Sequence, residues 1–376
     1  MAQSSVILSL GSNSGNRLQN IQSCINYIHN NIATVIKVSG IYETPSWGFA
    51  SHDFYNCALL VHTQLKPQKL LKKLLKAEEK AGRLREPGAG YQARSIDIDI
   101  IAFDGITLEE SGLQLPHPRM QDRNFVLYPL RDIAPRWQHP TLHKSIDELI
   151  SSCTDASECK HVIQPDNPID KYTPEKFNYI TIEGNIGAGK TSLSTKIAQD
   201  FNATLILERF ADNPFLPKFY KDQQRYAFPL EMSFLADRYH QLSDDISDIN
   251  ILNDFVIADY HIVKSLIFAE VTLGADEYNL YQKMFDIMHR QLKKPGLYVY
   301  LHQSTKQLLK QIKRRGRSYE QNIKAEYLDR INKGYLSYIN SQQGQDILVI
   351  DVTDKDFVNN QKDYIYLLNQ IQKSLQ

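Results

Sequence analysis

Residues 184–191 carry a glycine-rich phosphate-binding pattern, G-N-I-G-A-G-K-T. Glycines at this spacing let backbone N–H groups face phosphate oxygens at the start of a helix, while the lysine and threonine reach the terminal phosphates and Mg²⁺. An apolar run over 179–183 precedes the pattern, which is the strand–loop–helix context that such a loop requires. The predicted ATP-binding residues are Gly184, Gly187, Gly189, Lys190 and Thr191, with Thr191 also a predicted metal ligand.

The position of this loop indicates a second domain upstream. A phosphate loop joins the first strand of its domain to the first helix, yet this one begins near the middle of a 376-residue chain. That length accommodates two domains of ordinary size. The segment 156–176 contains three prolines among polar residues, which is typical of a linker. We therefore expect domains over 1–155 and 177–376.

The upstream half carries an acidic pair that suits a different phosphate chemistry. Residues 96–103 alternate in the manner of a strand, so the carboxylates of Asp97 and Asp99 point to the same side. Two such carboxylates repel each other unless a cation lies between them, and Mg²⁺ takes one or two carboxylates together with substrate phosphates. A solvated edge strand is the alternative. Arg83 and Arg94 bracket a glycine-rich stretch, as expected of a mobile loop that closes on phosphate.

Several motifs of the first half occur in a family-specific order: L-S-L-G-S-N (8–13), Y-E-T-P (42–45), F-Y-N (54–56), G-R-L-R (82–85), R-S-I-D-I-D (94–99) and P-H-P-R-M (116–120). Together they resemble the hydroxymethyldihydropterin pyrophosphokinase family of folate biosynthesis. The resemblance implies an α+β ferredoxin-like sandwich. It also implies transfer of pyrophosphate from ATP to 6-hydroxymethyl-7,8-dihydropterin, with release of AMP.

The same resemblance implies roles for individual residues. Asp97 and Asp99 are the expected Mg²⁺ ligands, and Arg83 and Arg94 the expected catalytic residues. The expected ATP ligands are His117 and Arg123. The expected pterin-binding residues are Thr44, Phe54, Asn56 and Phe125. The run 90–94, G-Y-Q-A-R, departs from the family signature because it lacks the basic residue that usually precedes the arginine.

The second half alternates short apolar runs with helical stretches, which predicts a parallel sheet covered by helices. Its phosphate loop is followed by E-R-F-A-D-N-P (208–214), F-P-L-E-M-S-F-L-A-D-R (228–238) and I-K-R-R-G-R-S-Y-E (312–320). These motifs resemble the deoxynucleoside kinase family over residues 178–352. The resemblance implies an α/β P-loop kinase fold that phosphorylates the 5′-hydroxyl of deoxynucleosides.

By this resemblance Glu208 is the general base that accepts the hydroxyl proton. Arg315 and Arg317 belong to an ATP-covering lid, and Glu231 and Arg238 bind the substrate. All of these residues except Glu231 also have a simpler interpretation. Glu208 could pair with a neighbouring cation, Arg238 could pair with an acidic neighbour (Asp237 or Glu231), and the lid arginines could end a solvated helix.

Two departures from the kinase family bear on activity. The run 258–261, A-D-Y-H, lacks the arginine of the family's acidic-Arg-Ser triplet. Lys264 lies at a helical spacing from which it could compensate for the missing arginine, although the point charge of a lysine cannot replace the bidentate contacts of a guanidinium. Glu231 occupies a position where the family often has glutamine. An ionised glutamate only accepts hydrogen bonds, so we expect a preference for bases that present donors such as amino groups.

The leading hypothesis is a bifunctional enzyme that uses ATP and Mg²⁺. A second hypothesis keeps the first activity and makes the other half a nucleotide-binding regulatory or dimerisation module. A nucleotide switch or transport ATPase is a third, but the sequence lacks an obvious water-positioning element. The kinase resemblance implies a homodimer formed by the second half.

Composition favours small-molecule substrates. Net charge is zero and 42% of residues are hydrophobic, so we expect neither a nucleic-acid nor a membrane partner. The start of the chain has no signal-peptide pattern. Four scattered cysteines are typical of reduced thiols, which favours a cytoplasmic protein.

Overall fold

The computed structural model describes residues 3–46, 51–83, 93–209, 213–247 and 255–375. The chain divides into two compact units. The first comprises Met1–Lys171 with Asn359–Ile365, and the second comprises Tyr172–Val358 with Tyr366–Gln376.

The first unit is an antiparallel sheet with helices. Its strands and helices, in chain order, are β1 (Ser4–Ser12), α1 (Arg17–Asn31), β2 (Thr34–Val38), β3 (Ile41–Thr44), β4 (Phe54–Thr63), α2 (Pro67–Lys80), β5 (Asp97–Phe103), β6 (Leu108–Glu110), β7 (Leu113–Leu115), α3 (Asn124–Ile133), α4 (Ile146–Ser152) and β8 (Lys160–Ile163). The main sheet has the order β5-β1-β4-β3-β8, and β2 also pairs with β4. A separate hairpin is formed by β6 and β7.

Alternation along β1 divides the first unit's apolar side chains between two layers. Val6, Leu8 and Leu10 are buried in a cluster with residues of α1 and α2. Ile7, which points the other way, is buried in a cluster with residues of α3 and α4. Because successive side chains of a strand face opposite sides, both faces of the sheet carry a hydrophobic core. These cores fix the strand ends from which the first site is built.

The segment predicted as a linker is partly structured. Within residues 156–176, the run Lys160–Ile163 forms β8 and pairs antiparallel with β3. Its two β-branched residues suit a strand, and pairing satisfies the backbone groups at the edge of β3. The prolines of this segment follow the strand, so their presence does not exclude it.

The second unit is built on a five-stranded parallel sheet. Its strands and helices are β9 (Tyr179–Gly184), α5 (Lys190–Asp200), β10 (Thr204–Ile206), α6 (Leu216–Phe219), α7 (Gln223–Ser247), β11 (Val256–Ala258), α8 (Val263–Thr272), α9 (Ala275–His289), β12 (Leu297–His302), α10 (Thr305–Arg315), α11 (Ala325–Ser341) and β13 (Ile347–Asp351). The last helix, α12 (Gln361–Lys373), belongs to this unit from Tyr366 onward. The strand order is β10-β11-β9-β12-β13, and every neighbouring pair is parallel. The predicted parallel sheet is thus confirmed.

The order of the strands determines where the second site lies. The carboxyl ends of β9, β10 and β11 are neighbours, and ligands of open parallel sheets bind at that edge. Buried side chains of α8, α9 and α11 form one cluster with those of the sheet, and α5 packs against β9 and β11.

All four cysteines are described and are free thiols. Across the described ranges, no helix combines the length and apolarity that crossing a bilayer requires.

Candidate active sites

A cavity of about 250 Å³ in the first unit brings together all the residues that the sequence predicted for the first site. Those residues are Thr44, Phe54, Asn56, Arg83, Arg94, Asp97, Asp99, His117, Arg123 and Phe125. The lining also contains Ser9 and Gly11 of β1, Pro45 after β3, and Arg119. Ser9 and Gly11 lie in the L-S-L-G-S-N motif, to which the sequence assigned no role.

Strand register explains why distant motifs meet in this cavity. Gly11 of β1 is paired with Asn56 on β4 and with Asp97 on β5. A side chain at Gly11 would crowd the site, because a Cβ there would lie 3.1 Å from Asn56 Oδ1. Thr44 is paired with Phe54 across β3 and β4. The antiparallel pairing therefore places pterin-site and metal-site candidates side by side.

Two arginines hold one carboxylate of the acidic pair. Arg94 Nη1 lies 2.8 Å from Asp97 Oδ2, and Arg83 pairs with the other oxygen of Asp97. Arg83 also pairs with Glu78, whose side chain is 1% exposed. Glu78 in turn accepts a hydrogen bond of 2.8 Å from the Ile98 N–H. Glu78 therefore anchors Arg83 to the strand that carries the acidic pair.

Sequence reasoning missed Glu78. It lies on α2, outside every motif, and only the tertiary contact reveals its role.

The electrostatics of this cavity suit a divalent cation. Burial and the neighbouring Asp97 raise the pKa of Asp99 to about 6. A cation between the two carboxylates would relieve that repulsion. In the described part of the chain, no cluster of three or more His, Cys, Asp or Glu side chains surrounds a common point. Two carboxylates nevertheless fit Mg²⁺, which obtains its other ligands from phosphates and water.

The remaining groups of the cavity are suited to a planar ring and to phosphates. Asn56 Nδ2 donates a hydrogen bond of 2.8 Å to Thr44 Oγ1, which fixes the orientation of this buried amide. The Arg94 guanidinium lies 5.6 Å from the centre of the Phe54 ring, and that of Arg123 lies 5.4 Å from the centre of the Phe125 ring.

His117 is neutral near pH 7. Burial, and then the nearby Arg123 and Arg119, lower its pKa to about 4. Its imidazole is therefore a hydrogen-bonding group rather than a cation.

A second cavity, of about 110 Å³, lies in the second unit at the carboxyl edge of the sheet. Its lining includes these residues predicted from the sequence: Gly187, Lys190, Thr191, Glu208, Glu231, Arg238, Arg315 and Arg317. Gly184 and Gly189 are not part of the lining; they shape the phosphate loop. At Gly184 a Cβ would meet the Leu301 carbonyl oxygen at 2.8 Å, and Gly189 has a φ of 91°.

The phosphate loop holds its lysine close to the backbone. Lys190 Nζ donates to the carbonyl oxygens of Gly184 and Asn185 at 2.9 and 3.1 Å. Burial and the nearby Lys264 lower the pKa of Lys190 to about 8. Thr191 donates its hydroxyl to the carboxylate of Asp259. Both groups are directed to the cavity where the phosphates of ATP are expected.

Glu208 is held by two cations. Arg238 Nε and Nη2 donate to its Oε1 at 2.9 and 2.7 Å, and Lys264 Nζ lies 2.6 Å from its Oε2. Although burial opposes the effect, Lys264 and Arg238 hold the pKa of Glu208 well below its usual range. Arg238 thus pairs with Glu208, not with Asp237 or Glu231 as the simpler interpretation had it. The cation pairing considered as the alternative for Glu208 is present, and the carboxylate still lines the cavity.

Asp259 is a site residue to which the sequence assigned no role. Its Oδ1 accepts a hydrogen bond of 2.8 Å from the Glu208 N–H, and its other oxygen accepts the Thr191 hydroxyl. It therefore joins the candidate base to the phosphate loop. Its position directly after the apolar strand β11 was the available signal, since acidic residues at strand ends face the ligand edge.

Glu231 presents an acceptor to the cavity. It is 2% exposed, and its Oε1 lies 3.2 Å from Thr272 Oγ1. Its Oε2 has no hydrogen-bond partner among the described residues. Burial raises the pKa of Glu231 to about 7. The sequence treated this residue as ionised, but at neutral pH the protonated form is also populated.

The two lid arginines share one carboxylate. Arg315 pairs with Glu320, and Arg317 Nη1 lies 3.2 Å from Glu320 Oε1. Glu320 is buried, and both arginines are about one-third exposed. They line the cavity, although Arg315 is also the last residue of α10, whose basic end is exposed. Glu320 went unassigned in the sequence although it lies within the lid motif.

Some predicted features lie outside the described residues. They are Leu84 and Arg85 of the G-R-L-R motif, the glycine-rich stretch that follows it up to residue 92, and residues 210–212 of the E-R-F-A-D-N-P motif.

Fold and sites together define a two-domain phosphotransferase with separate sites for two chemistries. Comparisons with known proteins identify the families. The family model for deoxynucleoside kinase matches residues 180–376. The model for 7,8-dihydro-6-hydroxymethylpterin-pyrophosphokinase matches residues 7–135.

Individual relatives agree with both matches. Deoxyguanosine kinase of Bacillus subtilis is 40% identical over 190 residues, which is 50% of this chain and 92% of that protein. A 2-amino-4-hydroxy-6-hydroxymethyldihydropteridine pyrophosphokinase of Porphyromonas gingivalis is 39% identical over 138 residues, which is 36% of this chain and 93% of that protein. A deoxyadenosine kinase of Lactobacillus acidophilus is 30% identical over 206 residues, which is 52% of this chain and 95% of that protein.

The chain belongs to the deoxynucleoside kinase family through its second half and to the hydroxymethyldihydropterin pyrophosphokinase family through its first half. It is therefore a bifunctional kinase.

Proposed function

We propose that the first unit transfers pyrophosphate from ATP to 6-hydroxymethyl-7,8-dihydropterin. The convergence of ten predicted residues on one cavity supports this reaction most directly. Phe54 and Phe125 bind the faces of the pterin ring, while Asn56 and Thr44 hydrogen-bond to its polar edge. The pterin hydroxyl oxygen loses its proton and bonds to the β-phosphorus, while the bond from the β-phosphorus to the α–β bridging oxygen breaks and AMP leaves with that electron pair.

The charged residues of this cavity act on the phosphates. Arg83 and Arg94 stabilise negative charge on the transferred group, and His117 and Arg123 bind ATP. Asp97 and Asp99 are the residues that would hold Mg²⁺. When bound, the ion neutralises phosphate charge.

The second unit phosphorylates the 5′-hydroxyl of a deoxynucleoside. Glu208 accepts the hydroxyl proton, and Lys190 with Arg315 and Arg317 contacts the phosphates of ATP. Thr191 would hold the accompanying Mg²⁺. The observation that supports this most directly is that Glu208 lines the same cavity as the phosphate-loop residues Lys190 and Thr191 and the buried Glu231.

The preferred base presents N–H donors, and guanine fits best. Its Watson–Crick edge carries two adjacent donors, N1–H and the 2-amino group, which the carboxylate of Glu231 can accept together. Arg238 orients the substrate end of the site. The similarity to a protein named deoxyguanosine kinase supports this choice.

Several coarser features complete the proposal. The order β1-α1-β2/β3-β4-α2-β5 with a β5-β1-β4-β3 sheet supports a ferredoxin-like first domain. We place the domains at 1–155 and 177–376, and β8 of the segment between them adds a strand to the sheet of the first. A cytoplasmic location agrees with the free thiols. A homodimer through the second domain is supported by Leu280 and Ile287, exposed seven residues apart on α9.

A nucleoside screen tests the second activity. Purified protein receives ATP, Mg²⁺ and each common deoxynucleoside in turn, and ADP and the 5′-monophosphate are measured beside a Glu208→Gln control. We expect monophosphate formation, highest with deoxyguanosine, that disappears in the control. ATP binding without turnover of any nucleoside would favour the regulatory module. Equal turnover of thymidine and deoxyguanosine would refute the role of Glu231 in base choice.

A further inference from the structure

The second site contains a lysine that the phosphate-loop pattern does not explain. Lys264 lies on α8, five residues beyond Asp259, and its side chain is 9% exposed. Its Nζ lies 2.6 Å from Glu208 Oε2 and lines the same cavity as Lys190 and Thr191. The stretch 258–261 has no arginine. Lys264 is therefore the additional cation that α8 supplies between the base and the phosphate end of the cavity.

As held, Glu208 is poorly arranged to accept a proton. Each of its oxygens accepts a charged donor, Arg238 at Oε1 and Lys264 at Oε2. A general base works best when its pKa lies near the operating pH, and these two cations keep the pKa of Glu208 well below that. If one of the two cations left, the carboxylate would become more basic and one of its oxygens would be fully available for the proton of a hydroxyl.

The contacts of the two cations differ in a way that identifies the mobile one. Arg238 has a second anchor, because its Nη1 donates to Ser265 Oγ at 2.7 Å, and its guanidinium lies 4.6 Å from the centre of the Phe234 ring. Among the described residues, the ammonium group of Lys264 has one hydrogen bond, to Glu208, and lies 5.5 Å from the centre of the Phe268 ring. Its charge also acts on the buried Glu183, where it opposes the rise in pKa that burial causes. The flexible lysine side chain with its compact charge moves more readily than the planar guanidinium of Arg238, which is anchored at several points.

We propose that Lys264 is a catalytic cation that leaves Glu208 for the γ-phosphate of ATP when both substrates are bound. This inference rests on the proposed deoxynucleoside kinase activity. The γ-phosphate carries more negative charge than the carboxylate and competes for the ammonium group. A single displacement thus adds a positive charge at the transferring group and frees Glu208 Oε2.

The transfer that follows balances without any other reactant. The O5′–H bond breaks as its proton passes to Glu208 Oε2, and the O5′ lone pair forms the bond to the γ-phosphorus. The bond from the γ-phosphorus to the β–γ bridging oxygen breaks, and its electron pair leaves with ADP. Lys264 stabilises the charge that builds on the transferring group.

The charged groups around Glu208 are consistent with this role. Arg238 of α7, Lys190 of α5, Lys264 of α8 and Asp259 after β11 face it. The lid contributes Arg315, Arg317 and Glu320 to the same cavity. Once Lys264 has moved, Arg238 still fixes the carboxylate in place, so the base remains oriented while its second oxygen is available.

The direct test is a crystal structure of the full chain with Mg²⁺, deoxyguanosine and the non-hydrolysable analogue AMP-PNP. We expect Lys264 Nζ within about 3 Å of a γ-phosphate oxygen and Glu208 Oε2 facing the 5′-hydroxyl. A Lys264 that stays on Glu208 with all ligands bound would overturn the inference. The position of Lys264 in this structure does not depend on turnover, so the inference is tested separately from the proposed kinase activity.

Kinetics provides a second readout. Lys264→Gln should lower kcat for the monophosphate by about 100-fold or more while the nucleoside KM changes little, because the interaction forms with the transferring group. Lys264→Arg should recover part of that loss. The matched control is Lys333→Gln on α11, which removes an exposed lysine. If Lys264→Gln lowered kcat/KM only by raising KM, with kcat unchanged, Lys264 would only shape the nucleoside site and the inference would be wrong.

Discussion

Replacing Glu231 by glutamine should stabilise the second unit at alkaline pH and have little effect in acid. Glu231 is buried, and its pKa is raised from the usual 4.5 to about 7 because burial disfavours the charged form. Such a group lowers stability progressively as pH rises from its unfolded pKa to its folded pKa. The substitution keeps the shape of the side chain and removes the charge.

The magnitude follows from the size of the shift. Each pKa unit corresponds to about 1.4 kcal/mol, so a rise from 4.5 to about 7 corresponds to a penalty of about 3 kcal/mol above pH 8. At pH 5 the carboxyl group is protonated in the folded state but already largely ionised in the unfolded state, so the penalty is about 1 kcal/mol. Glu231→Gln should therefore raise the free energy of unfolding by roughly 2 kcal/mol more at pH 8.5 than at pH 5.

Urea unfolding at the two pH values measures this difference. Circular dichroism follows both units, whereas tryptophan fluorescence follows the first unit only, because Trp47 and Trp137 both fall within it. The matched control is Glu270→Gln on α8, which removes an exposed carboxylate from the same unit. A gain that is equal at pH 5 and pH 8.5, or one that the control reproduces, would refute the reasoning.

Two substitutions test how each site is held. Glu78→Gln removes the charged anchor of Arg83 and should lower kcat for AMP formation about tenfold, because the guanidinium is misplaced. Assays of AMP release compare this variant with Glu79→Gln, which changes an exposed neighbour. Equal effects of the two substitutions would contradict the anchoring role. Gly189→Ala places a Cβ 2.7 Å from the Phe357 ring at a backbone φ of 91°. The affinity for ATP, measured as the KM for ATP in nucleoside-dependent ADP formation, should therefore weaken at least tenfold. An unchanged KM for ATP would show that the loop tolerates the strain.

The sequence could predict which residues share each cavity because most of them lie in motifs at strand ends. Strand periodicity placed Asp97 and Asp99 on one side, and both line one cavity. The phosphate loop required a strand before it and a helix after it, and β9 and α5 supply them. Local spacing determines such features, so one sequence suffices to predict them.

Other features depend on contacts between distant segments and could not be predicted. Glu78 and Glu320 act by pairing with arginines that approach them in the folded chain. The raised pKa of Glu231 follows from its burial, which spacing does not reveal. The strand β8 forms because the edge of β3 is available for pairing, although its flanking prolines were typical of a linker.

The most direct test of two independent kinase sites is cross-inactivation in a single assay. Wild type, Asp99→Asn and Glu208→Gln each receive ATP, Mg²⁺, the pterin and deoxyguanosine, and AMP and the deoxynucleoside monophosphate are measured together. We predict that Asp99→Asn loses AMP formation and keeps nucleoside phosphorylation, and that Glu208→Gln does the reverse. Loss of both products in either variant, or a wild-type protein that forms only one of them, would contradict the assignment of two independent activities.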